Sequence, residues 1–432
     1  MDWKTKCKDK IVLAKQAVGN VKSGDKIIFA DWIGEPPSLV QALVDRAKEL
    51  KDVEIIHGLS PGPNTHIEPE MEGHFHHNSL FLGAVARKAY AERRIDYIGG
   101  TPFHKWPKMF AENPDLNPHW AFINLSPPDE NGMCSFGNSC CFTEPAARTA
   151  DRIIAQINEN MPTLGGKKIS LDKLDYIVLA NDPLYTIGKA PVDPTLEKIA
   201  ANIATLVEDG ATLQLGIGSL PDAVLRCLSD KKDLGIHSET LTESIMQMMQ
   251  AGVITNKRKT LHPNVCVGAQ AAGSAEFYQF LNKNPAFEVH PIDYVNDPYV
   301  VGKNYKMTSI NTCMAVDLLG QATAESVKGR QYSGIGGQLD HVRGSQLSEG
   351  GKSILALEST AKNDTISKIV TYHPPGTVTT VSRYDIHYVV TEYGIANLRF
   401  KTVKQRTESL IAIAHPNFRD GLRAEAAEMG FI

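Results

Sequence analysis

The chain contains one supersecondary pattern twice, and this duplication restricts the folds that it can adopt. The first copy starts at Val21 and reads VKSGDKIIFADWIGEPPSLVQALVDRAKELKDVEIIHG, and the second starts at Val207 and reads VEDGATLQLGIGSLPDAVLRCLSDKKDLGIHSE. Each copy has Val-x-x-Gly, a short apolar run, a Gly/Pro turn, a helical stretch and a second apolar run. A strand-helix-strand pattern that occurs twice predicts two similar α/β domains.

Short apolar runs alternate with helical patterns in both halves of the chain. Strands are predicted at Lys26–Ala30, Val53–His57, Tyr97–Ile98, Trp120–Leu125 and Tyr176–Ala180, and then at Thr212–Leu215, Gly235–Ser238, around Tyr294, and at Thr312–Asp317, Ser353–Leu357, Val378–Val381 and Tyr388–Thr391. Helices are predicted at Pro37–Leu50, Leu80–Ala91 and Leu196–Val207. This alternation predicts open, mostly parallel sheets.

A segment rich in proline separates the two halves. Asn181–Thr195 has three prolines and one glycine between a predicted strand and a predicted helix, which is typical of a domain connection. We therefore expect an N-terminal α/β domain at residues 1–188 and a C-terminal one at residues 189–432. At 432 residues the chain has the length of two to three domains of about 100–200 residues each.

Charge and cysteine usage exclude several functional classes. The 45 basic and 49 acidic side chains give a net charge of −4, so no overall charge attracts nucleic acid or an anionic membrane. The seven cysteines are scattered without CxxC pairs, which is typical of free thiols in a reducing compartment. No apolar run reaches membrane-spanning length, and the N-terminus does not resemble a signal peptide. We expect a cytoplasmic protein.

The turn Gly216-Ile217-Gly218-Ser219-Leu220-Pro221 is the first candidate for chemistry. It follows a predicted strand and precedes a helix, where glycines allow close backbone approach and the first helical N–H groups are unpaired. An oxyanion or a phosphate fits such a turn, but tight packing alone also explains it. Pro221 stands where a dinucleotide fingerprint has its third glycine, which argues against a dinucleotide site.

Two further segments carry polar groups suited to catalysis. Glu239 ends the predicted strand in LGIHSE, before a helix expected to begin at Thr240, where it is either a nucleophile or base or a simple helix cap. Ser333–Asp340 has Gly336 and Gly337 followed by Gln338 and Asp340, which predicts a wall of backbone N–H groups for a ligand. The alternative is a glycine-rich turn with a local ion pair between Asp340 and Arg343.

Several motifs together resemble family I coenzyme A transferases. QLGIGSLPDAV, GIHSE, SGIGGQLDHVRG and VVTEYGIANL occur in the family's order, and SPPDENGMCSFG (Ser126–Gly137) and AHPNFRD (Ala414–Asp420) extend the resemblance over nearly the whole chain. The match is greatest to the branch of 4-hydroxybutyrate CoA-transferase, butyryl-CoA:acetate CoA-transferase and acetyl-CoA hydrolase. The expected fold is therefore two similar, open, mostly parallel α/β domains related by duplication.

The resemblance also implies roles for particular residues. Glu239 corresponds to the nucleophilic glutamate, Gly216, Ile217, Gly218, Ser219 and Leu220 to the loop that binds coenzyme A and the oxyanion, and Gly337 to a further coenzyme A contact. Met314 falls close to another such contact, and Gly336, Gln338 and Asp340 are expected around the substrate.

The implied reaction moves coenzyme A from an acyl-CoA, expected to be acetyl-CoA, to a small carboxylate. The expected acceptor is 4-hydroxybutyrate, with butyryl-CoA:acetate transfer and acetyl-CoA hydrolysis as alternatives. Coenzyme A acts as a substrate that forms a covalent glutamyl thioester in ping-pong kinetics, without a permanently bound cofactor or metal. We expect a homodimer or higher homo-oligomer whose partners are these small molecules, with no nucleic acid or membrane.

Other residues offer competing interpretations. Glu392 is the rival carboxylate and is interpreted as structural. His66, His74, His76 and His77 with nearby glutamates define a non-enzymatic metal-binding module as an alternative function. Cys140-Cys141 suggests a nucleophile or a redox pair, but adjacent cysteines rarely form a relaxed disulfide and no histidine motif accompanies them. The basic run at Arg399–Arg406 is interpreted as a solvated helix face, with contact to coenzyme A phosphates as the alternative. A sugar-phosphate isomerase or sensor on a related α/β domain is the alternative from another class.

Overall fold

The computed structural model describes residues 2–188, 191 and 193–432. Residue 189, where the second domain was expected to begin, lies outside the described residues. The chain divides into two compact units. The first unit comprises Met1–Gly188, Leu241–Glu243 and Val267–Val295, and the second comprises Lys189–Thr240, Ser244–Cys266 and Asn296–Ile432. The first unit thus takes in two segments from the second half of the sequence.

Helices and strands alternate in both units. The helices are α1 Trp3–Lys6, α2 Ala14–Val18, α3 Pro37–Val44, α4 Ala84–Ala91, α5 Trp106–Glu112, α6 Thr143–Thr149, α7 Pro194–Ala204, α8 Ser219–Cys227, α9 Glu243–Gln250, α10 Ala275–Leu281, α11 Ile292–Val295, α12 Pro298–Val301, α13 Gln338–Leu347, α14 Val403–Ala412 and α15 Pro416–Glu428. The strands are β1 Lys26–Phe29, β2 Val53–His57, β3 Phe75–Ser79, β4 Asp96–Tyr97, β5 Trp120–Leu125, β6 Met133–Ser135, β7 Arg152–Asn158, β8 Gly165–Gly166, β9 Lys168–Ser170, β10 Tyr176–Ala180, β11 Thr212–Leu215, β12 Gly235–Thr242, β13 Cys266–Ala272, β14 Phe287–Val289, β15 Met307–Thr312, β16 Ala315–Asp317, β17 Ala322–Thr323, β18 Ser326–Val327, β19 Arg330–Gln331, β20 Lys352–Ala356, β21 Thr360–Ala361, β22 Ile366–Ser367, β23 Ile369–Val370, β24 Tyr388–Thr391 and β25 Gly394–Asn397.

The first unit is built on a seven-stranded parallel sheet. Its strand order is β10-β7-β5-β1-β2-β3-β4, and its neighbouring strands are parallel. All six residues of β5 are buried, as expected for a central parallel strand that is covered on both faces. Phe29, Ile55 and Phe122 belong to a cluster of buried apolar side chains that joins the sheet to α2 and α3.

The second unit repeats this arrangement with one antiparallel strand. In this unit the order is β25-β24-β20-β15-β11-β12, in which β24 and β25 are antiparallel and the other neighbouring strands are parallel. Its main apolar cluster packs β20, β24 and β25 against α14 and α15 through buried residues such as Leu355, Val389 and Leu410. Two large, mostly parallel α/β sheets confirm the fold class expected from the alternating pattern.

Several elements differ from the sequence-based predictions. The strand predicted around Tyr294 is the short helix α11, whose buried Ile292 and Val295 have helical rather than alternating spacing. The segment with His76 and His77, where no strand was predicted, is strand β3. It has an exposed histidine and buried polar residues, so it lacks the alternation of apolar residues from which a strand is predicted. The strand predicted at Thr312–Asp317 is interrupted, because β15 ends at Thr312 and β16 begins at Ala315.

Within residues 2–188, 191 and 193–432, no helix combines the length and the apolar character that crossing a bilayer requires.

One packing contact in the second unit gives a test of its helix arrangement. A Cβ on Gly344 of α13 would lie 2.4 Å from Cγ1 of Val301 in α12, which is closer than atoms can approach. We expect Gly344→Ala to destabilise the protein by about 1–3 kcal/mol, because α12 and α13 must separate. The matched control is Gly421→Ala in α15, where a Cβ meets no atom within 4 Å and the change should be neutral or stabilising. Urea unfolding of both variants measures the difference, and equal midpoints would contradict the packing.

Candidate active site

Glu239 lies within strand β12 rather than at its end. The strand continues to Thr242 and α9 begins at Glu243, so the helix expected at Thr240 starts three residues later. Ile236, His237 and Ser238 before Glu239 are fully buried, and the glutamate itself is partly buried. A glutamate inside a strand has a side-chain direction set by the sheet, so the helix-cap interpretation does not apply.

Two groups hold the Glu239 carboxylate by hydrogen bonds. The Asn296 side-chain amide donates to Oε2 at an Nδ2–Oε2 distance of 2.8 Å, and the backbone N–H of Gly337 donates to the same carboxylate. The other amide atom of Asn296, Oδ1, is buried without a hydrogen-bond partner. The structure therefore brings together Glu239 and Gly337, which the sequence predicted, and Asn296, which it did not.

Position 337 has no space for a side chain. A Cβ at Gly337 would lie 2.2 Å from Glu239 Oε2 and 2.1 Å from Asn296 Nδ2. Since such distances are impossible, glycine is required for the backbone to reach the carboxylate. Gly337 is also the N-cap of α13, so the carboxylate lies at a helix start, where unpaired N–H groups favour negative charge.

The carboxylate nevertheless titrates far above its usual range. Burial raises the pKa of Glu239 to about 7, and the negative charge of Asp340 adds to this rise. The hydrogen bonds from Asn296 and Gly337 act in the opposite direction and lower the pKa. Near neutral pH, the group thus exists as a mixture of the protonated acid and the ionised carboxylate.

The remaining predicted residues of the Ser333–Asp340 segment lie in helix α13 or directly before it. Gly336 has φ of 55°, a left-handed conformation that glycine adopts easily. Gln338 is the first helical residue and donates to the Thr312 carbonyl at 2.7 Å. Asp340 is buried on the first turn. Arg343, the ion-pair partner of Asp340 in the alternative interpretation, has its guanidinium 3.1 Å from Asp385.

The loop Gly216–Gly218 joins β11 to α8, as the sequence predicted. Ile217 is 52% exposed, and a Cβ on Gly218 would meet no atom within 4 Å, so the backbone of this loop is accessible. Gly218 has φ of 112° and is the N-cap of α8, whose first residues are Ser219 and Leu220. This is the geometry of a helix start that can receive an anion.

Met314 lies between two strands and not inside one. It follows β15 and precedes β16, and its N–H donates to the Thr323 carbonyl at 2.8 Å. Its place beyond the carboxyl end of β15 is on the same side of the sheet as the loop that follows β11, because the two strands are parallel neighbours.

The rival carboxylate has a different environment. Glu392 accepts hydrogen bonds from the backbone N–H of Ser359 at 3.0 Å and from the Ser359 hydroxyl. It follows β24, whereas Glu239 lies in β12. Its bonds connect the ends of β20 and β24, which is consistent with a structural role.

The four histidines of the metal-binding alternative do not form one group. His66 and His77 are buried, with ring nitrogens 3.1 Å apart, while His74 contacts a backbone carbonyl and His76 lies beside Asp96. Burial lowers the pKa of His66 to about 3 and that of His77 well below its usual range. The buried pair is therefore neutral and part of the core of the first unit.

Sequence reasoning missed Asn296, the residue that contacts Glu239 most directly. It lies 57 residues further along the chain, directly after α11 in the segment Tyr294-Val295-Asn296-Asp297. No glycine turn or apolar period marks this position, and the region was predicted as a strand. Only the fold brings the two residues together.

Family models match two parts of the chain, and the second of them contains Asn296 and Gly337. Residues 1–187 match the acetyl-CoA hydrolase/transferase N-terminal domain, and residues 273–426 match the acetyl-CoA hydrolase/transferase C-terminal domain.

Individual relatives match over nearly full length. The 4-hydroxybutyrate coenzyme A transferase of Clostridium kluyveri is 45% identical over 428 residues, which cover 98% of this chain and 99% of the relative. The succinyl-CoA:cyclohexane-1-carboxylate CoA transferase of Geobacter metallireducens is 40% identical, with 98% and 97% covered. The crystal structure of a 4-hydroxybutyrate CoA-transferase from Porphyromonas gingivalis has a TM-score of 0.86 at 38% identity and covers 99% of this chain and 100% of that one.

Fold and sequence together thus define an enzyme of the CoA-transferase class. The chain belongs to the acetyl-CoA hydrolase/transferase family. The family resemblance carried by the sequence motifs is confirmed.

The electrostatics of Glu239 predict opposite pH shifts for two variants. Only the ionised carboxylate is nucleophilic, so kcat/KM for an acyl-CoA should rise with pH through about 7. Asp340→Asn removes a like charge, which lowers the pKa of Glu239 and moves this rise to lower pH. Asn296→Ala removes a hydrogen bond to the carboxylate and moves the rise to higher pH. The pH–rate profiles of the three proteins measure the effect, and shifts in the same direction would contradict the arrangement.

Proposed function

We propose that the protein transfers coenzyme A from an acyl-CoA, with acetyl-CoA as donor, to a small carboxylate, with 4-hydroxybutyrate as acceptor. The assignment of the acceptor is supported by the 45% identity over 428 residues to the Clostridium kluyveri 4-hydroxybutyrate coenzyme A transferase. The alternative activities are butyryl-CoA:acetate transfer, supported by a 36% identical relative from Anaerostipes caccae, and acetyl-CoA hydrolysis. The two transfers differ in the acyl-CoA donor and in the carboxylate that accepts coenzyme A, whereas in hydrolysis water takes the place of the carboxylate and free coenzyme A is released.

The observation that carries the mechanism is the Glu239 carboxylate between the Asn296 amide and the Gly337 N–H. In the first step, Oε of Glu239 attacks the thioester carbonyl and expels coenzyme A thiolate, which leaves a mixed acyl-glutamyl anhydride. The thiolate then attacks the glutamyl carbonyl of the anhydride. The first carboxylic acid leaves as a carboxylate, and Glu239 is now a glutamyl-CoA thioester.

The second half of the cycle reverses these steps with a new acid. Its carboxylate attacks the glutamyl thioester and again expels the thiolate, which then attacks the acyl carbonyl of the new anhydride. The new acyl-CoA leaves and the Glu239 carboxylate is regenerated, so no net proton or electron is exchanged. Because the first acid leaves before the second reacts, the kinetics are ping-pong.

Backbone amides on two segments suit the tetrahedral intermediates of these steps. The N–H groups near Gly216–Gly218 and at Gly336–Gly337 are the oxyanion donors that we propose, since both segments precede helix starts. Losing a donor of this kind costs about 3–4 kcal/mol in other enzymes. The exposed loop Gly216–Leu220, with Met314 and Gly337, is proposed to contact coenzyme A. Gln338 and Asp340 are proposed to line the substrate side of the same segment.

Coenzyme A is proposed to act as substrate alone, without a resident metal or other cofactor. The proposed location is the cytoplasm, which is supported by seven cysteines among which the described chain forms no disulfide. The proposed assembly is a homodimer or a higher homo-oligomer. Metal analysis and light scattering of the purified protein test the metal and the assembly.

Trapping the thioester tests Glu239 as the nucleophile. After incubation with acetyl-CoA, borohydride reduces a glutamyl-CoA thioester to an alcohol, and mass spectrometry locates the change in the peptide that contains Glu239. We expect Glu239→Gln to abolish both the adduct and transfer, because an amide cannot form the anhydride. Glu392→Gln is the matched control, since its carboxylate lies after a different strand, and it should keep the adduct. Labelling of any other residue would refute the assignment.

A panel of acceptors separates the three activities. With acetyl-CoA as donor, we expect kcat/KM to be highest for 4-hydroxybutyrate, lower for butyrate, and release of free coenzyme A in the absence of acceptor to be slow. Water must be kept from the anhydride for transfer to dominate. Measurement of new acyl-CoA and of free thiol in the same reactions gives both rates. Fast thiol release that no acid suppresses would favour the hydrolase.

A further inference from the structure

The hydroxyl of Ser238 bonds to both backbone groups of Leu215. The Leu215 N–H donates to Ser238 Oγ at 3.3 Å, and Ser238 Oγ donates to the Leu215 carbonyl at 3.1 Å. Ser238 is fully buried, so no water competes for these bonds. The Ser238 hydroxyl is thus both a donor and an acceptor toward the same residue of the neighbouring strand.

This contact lies where the regular pairing of the two strands stops. The register of β11 and β12 ends at Leu213↔Ile236, whereas β11 stays paired with β15 as far as Leu215↔Ile310. Beyond Ile236, the Ser238 hydroxyl replaces backbone ladder bonds as the connection from β12 to Leu215. The connection is therefore made by a side chain that a single substitution removes.

The two residues joined in this way precede the two parts of the candidate active site. Leu215 is followed by Gly216 and the exposed loop to Gly218, and Ser238 is followed by Glu239. Glu239 is held at its carboxylate by Asn296 and Gly337, and the Gly216 N–H donates to the Ile310 carbonyl at 3.2 Å, but none of these bonds joins the loop to β12. The hydroxyl therefore fixes the distance between the start of the loop and the backbone of the nucleophile.

Surrounding contacts hold the other sides of both strands. Gln214 and Asn311 exchange two amide hydrogen bonds, of 3.1 and 2.9 Å, between β11 and β15. On β12, the Ile236 N–H donates to Asn256 and the Ile236 carbonyl accepts from the buried Lys259 ammonium at 2.7 Å. These bonds fix each strand separately, and the Ser238 hydroxyl links the two strands at the site itself.

We infer that Ser238 is a positioning residue, which holds the Glu239 carboxylate at a fixed distance from the backbone amides of the Gly216–Gly218 loop. This inference rests on the proposed function of Glu239 as nucleophile and of the loop as oxyanion donor. A nucleophile and its oxyanion donors on separate segments must keep their relative position within fractions of an ångström. A misplacement of about 1 Å can reduce a rate by about 100-fold.

Two substitutions at position 238 test the inference. Ser238→Ala removes the hydroxyl, and Ser238→Cys keeps the volume but exchanges the hydroxyl for a weak donor. We expect kcat to fall by about 10- to 100-fold in both. The KM for acetyl-CoA should change much less, since Ser238 is buried and does not touch the substrate. The rate of glutamyl-CoA thioester formation in a single turnover should fall by the same factor as kcat.

Ser348 offers a matched control in the same unit. Its hydroxyl also accepts from a backbone N–H, that of Met307 at 3.0 Å, and donates to a backbone carbonyl, that of Asn304. This contact lies at the first residue of β15, at the opposite end of the sheet strands from Gly216. Ser348→Ala should therefore lower the melting temperature about as much as Ser238→Ala but leave kcat and thioester formation within twofold of wild type.

The outcomes separate this inference from the proposed function. If wild type forms the thioester at Glu239 and Ser238→Ala forms it at the same rate, the positioning role is refuted while the function stands. If Ser348→Ala loses as much activity as Ser238→Ala, the loss reflects stability and the positioning role is again refuted. If wild type forms no thioester at Glu239, the proposed function itself fails.

Discussion

The contact between the Gly337 backbone and the Glu239 carboxylate is the constraint on which the candidate site depends. It requires glycine at position 337, because any side chain would overlap the carboxylate and the Asn296 amide. It also places the carboxylate at the start of α13, where the helix favours its ionised form while burial and Asp340 favour the protonated form. The balance of these opposing effects leaves the pKa near 7. A carboxylate in this balance is ionised often enough to attack a thioester and is not locked into a permanent ion pair.

Much of the fold could be predicted because the spacing of apolar residues and the positions of turn residues indicate where its strands and helices lie. Val53–His57, Trp120–Leu125 and Thr212–Leu215 were predicted with their observed bounds, since their apolar runs are bordered by polar and glycine residues. Strand β3 was missed because buried His77, Asn78 and Ser79 replace the expected apolar residues. Polar side chains buried by partners from elsewhere in the fold leave no local signal in the sequence.

The residues of the candidate site likewise fall into those with a local sequence signal and those without one. Glu239, Gly216 and Gly337 were predicted because they lie in motifs whose glycines have a local backbone reason. Asn296 was missed, and so was the pairing of Arg343 with Asp385, because each contact joins segments that are distant in the sequence. The predicted helix start at Thr240 failed for a related reason. Pairing within the sheet extends β12 through Glu239, and propensity around a single residue does not contain that information.

The two copies of the duplicated pattern use different side chains to connect their first and second strands. In the first copy, Gly58 occupies the position of Ser238, and a Cβ there would lie 2.0 Å from Asp31 Oδ1. Asp31 belongs to the turn after β1, and its carboxylate accepts from the Leu59 N–H at 3.1 Å. Thus in the first copy the turn after β1 supplies the side chain and the residue after Gly58 supplies the backbone, whereas in the second copy β12 supplies the side chain and the end of β11 supplies the backbone.

This reversal has a chemical consequence for the residue that follows. In the first copy, the Asp31 carboxylate of the turn contacts the backbone that follows β2, and Leu59 stands in the place of Glu239. Where the second strand supplies a small hydroxyl, as Ser238 does, the turn remains a bare glycine backbone with its N–H groups exposed. A nucleophilic carboxylate next to such a turn needs those N–H groups for the oxyanion rather than a second negative charge. The two copies thus carry their negative charge at different places, on Asp31 in the turn of the first copy and on Glu239 in the second strand of the second.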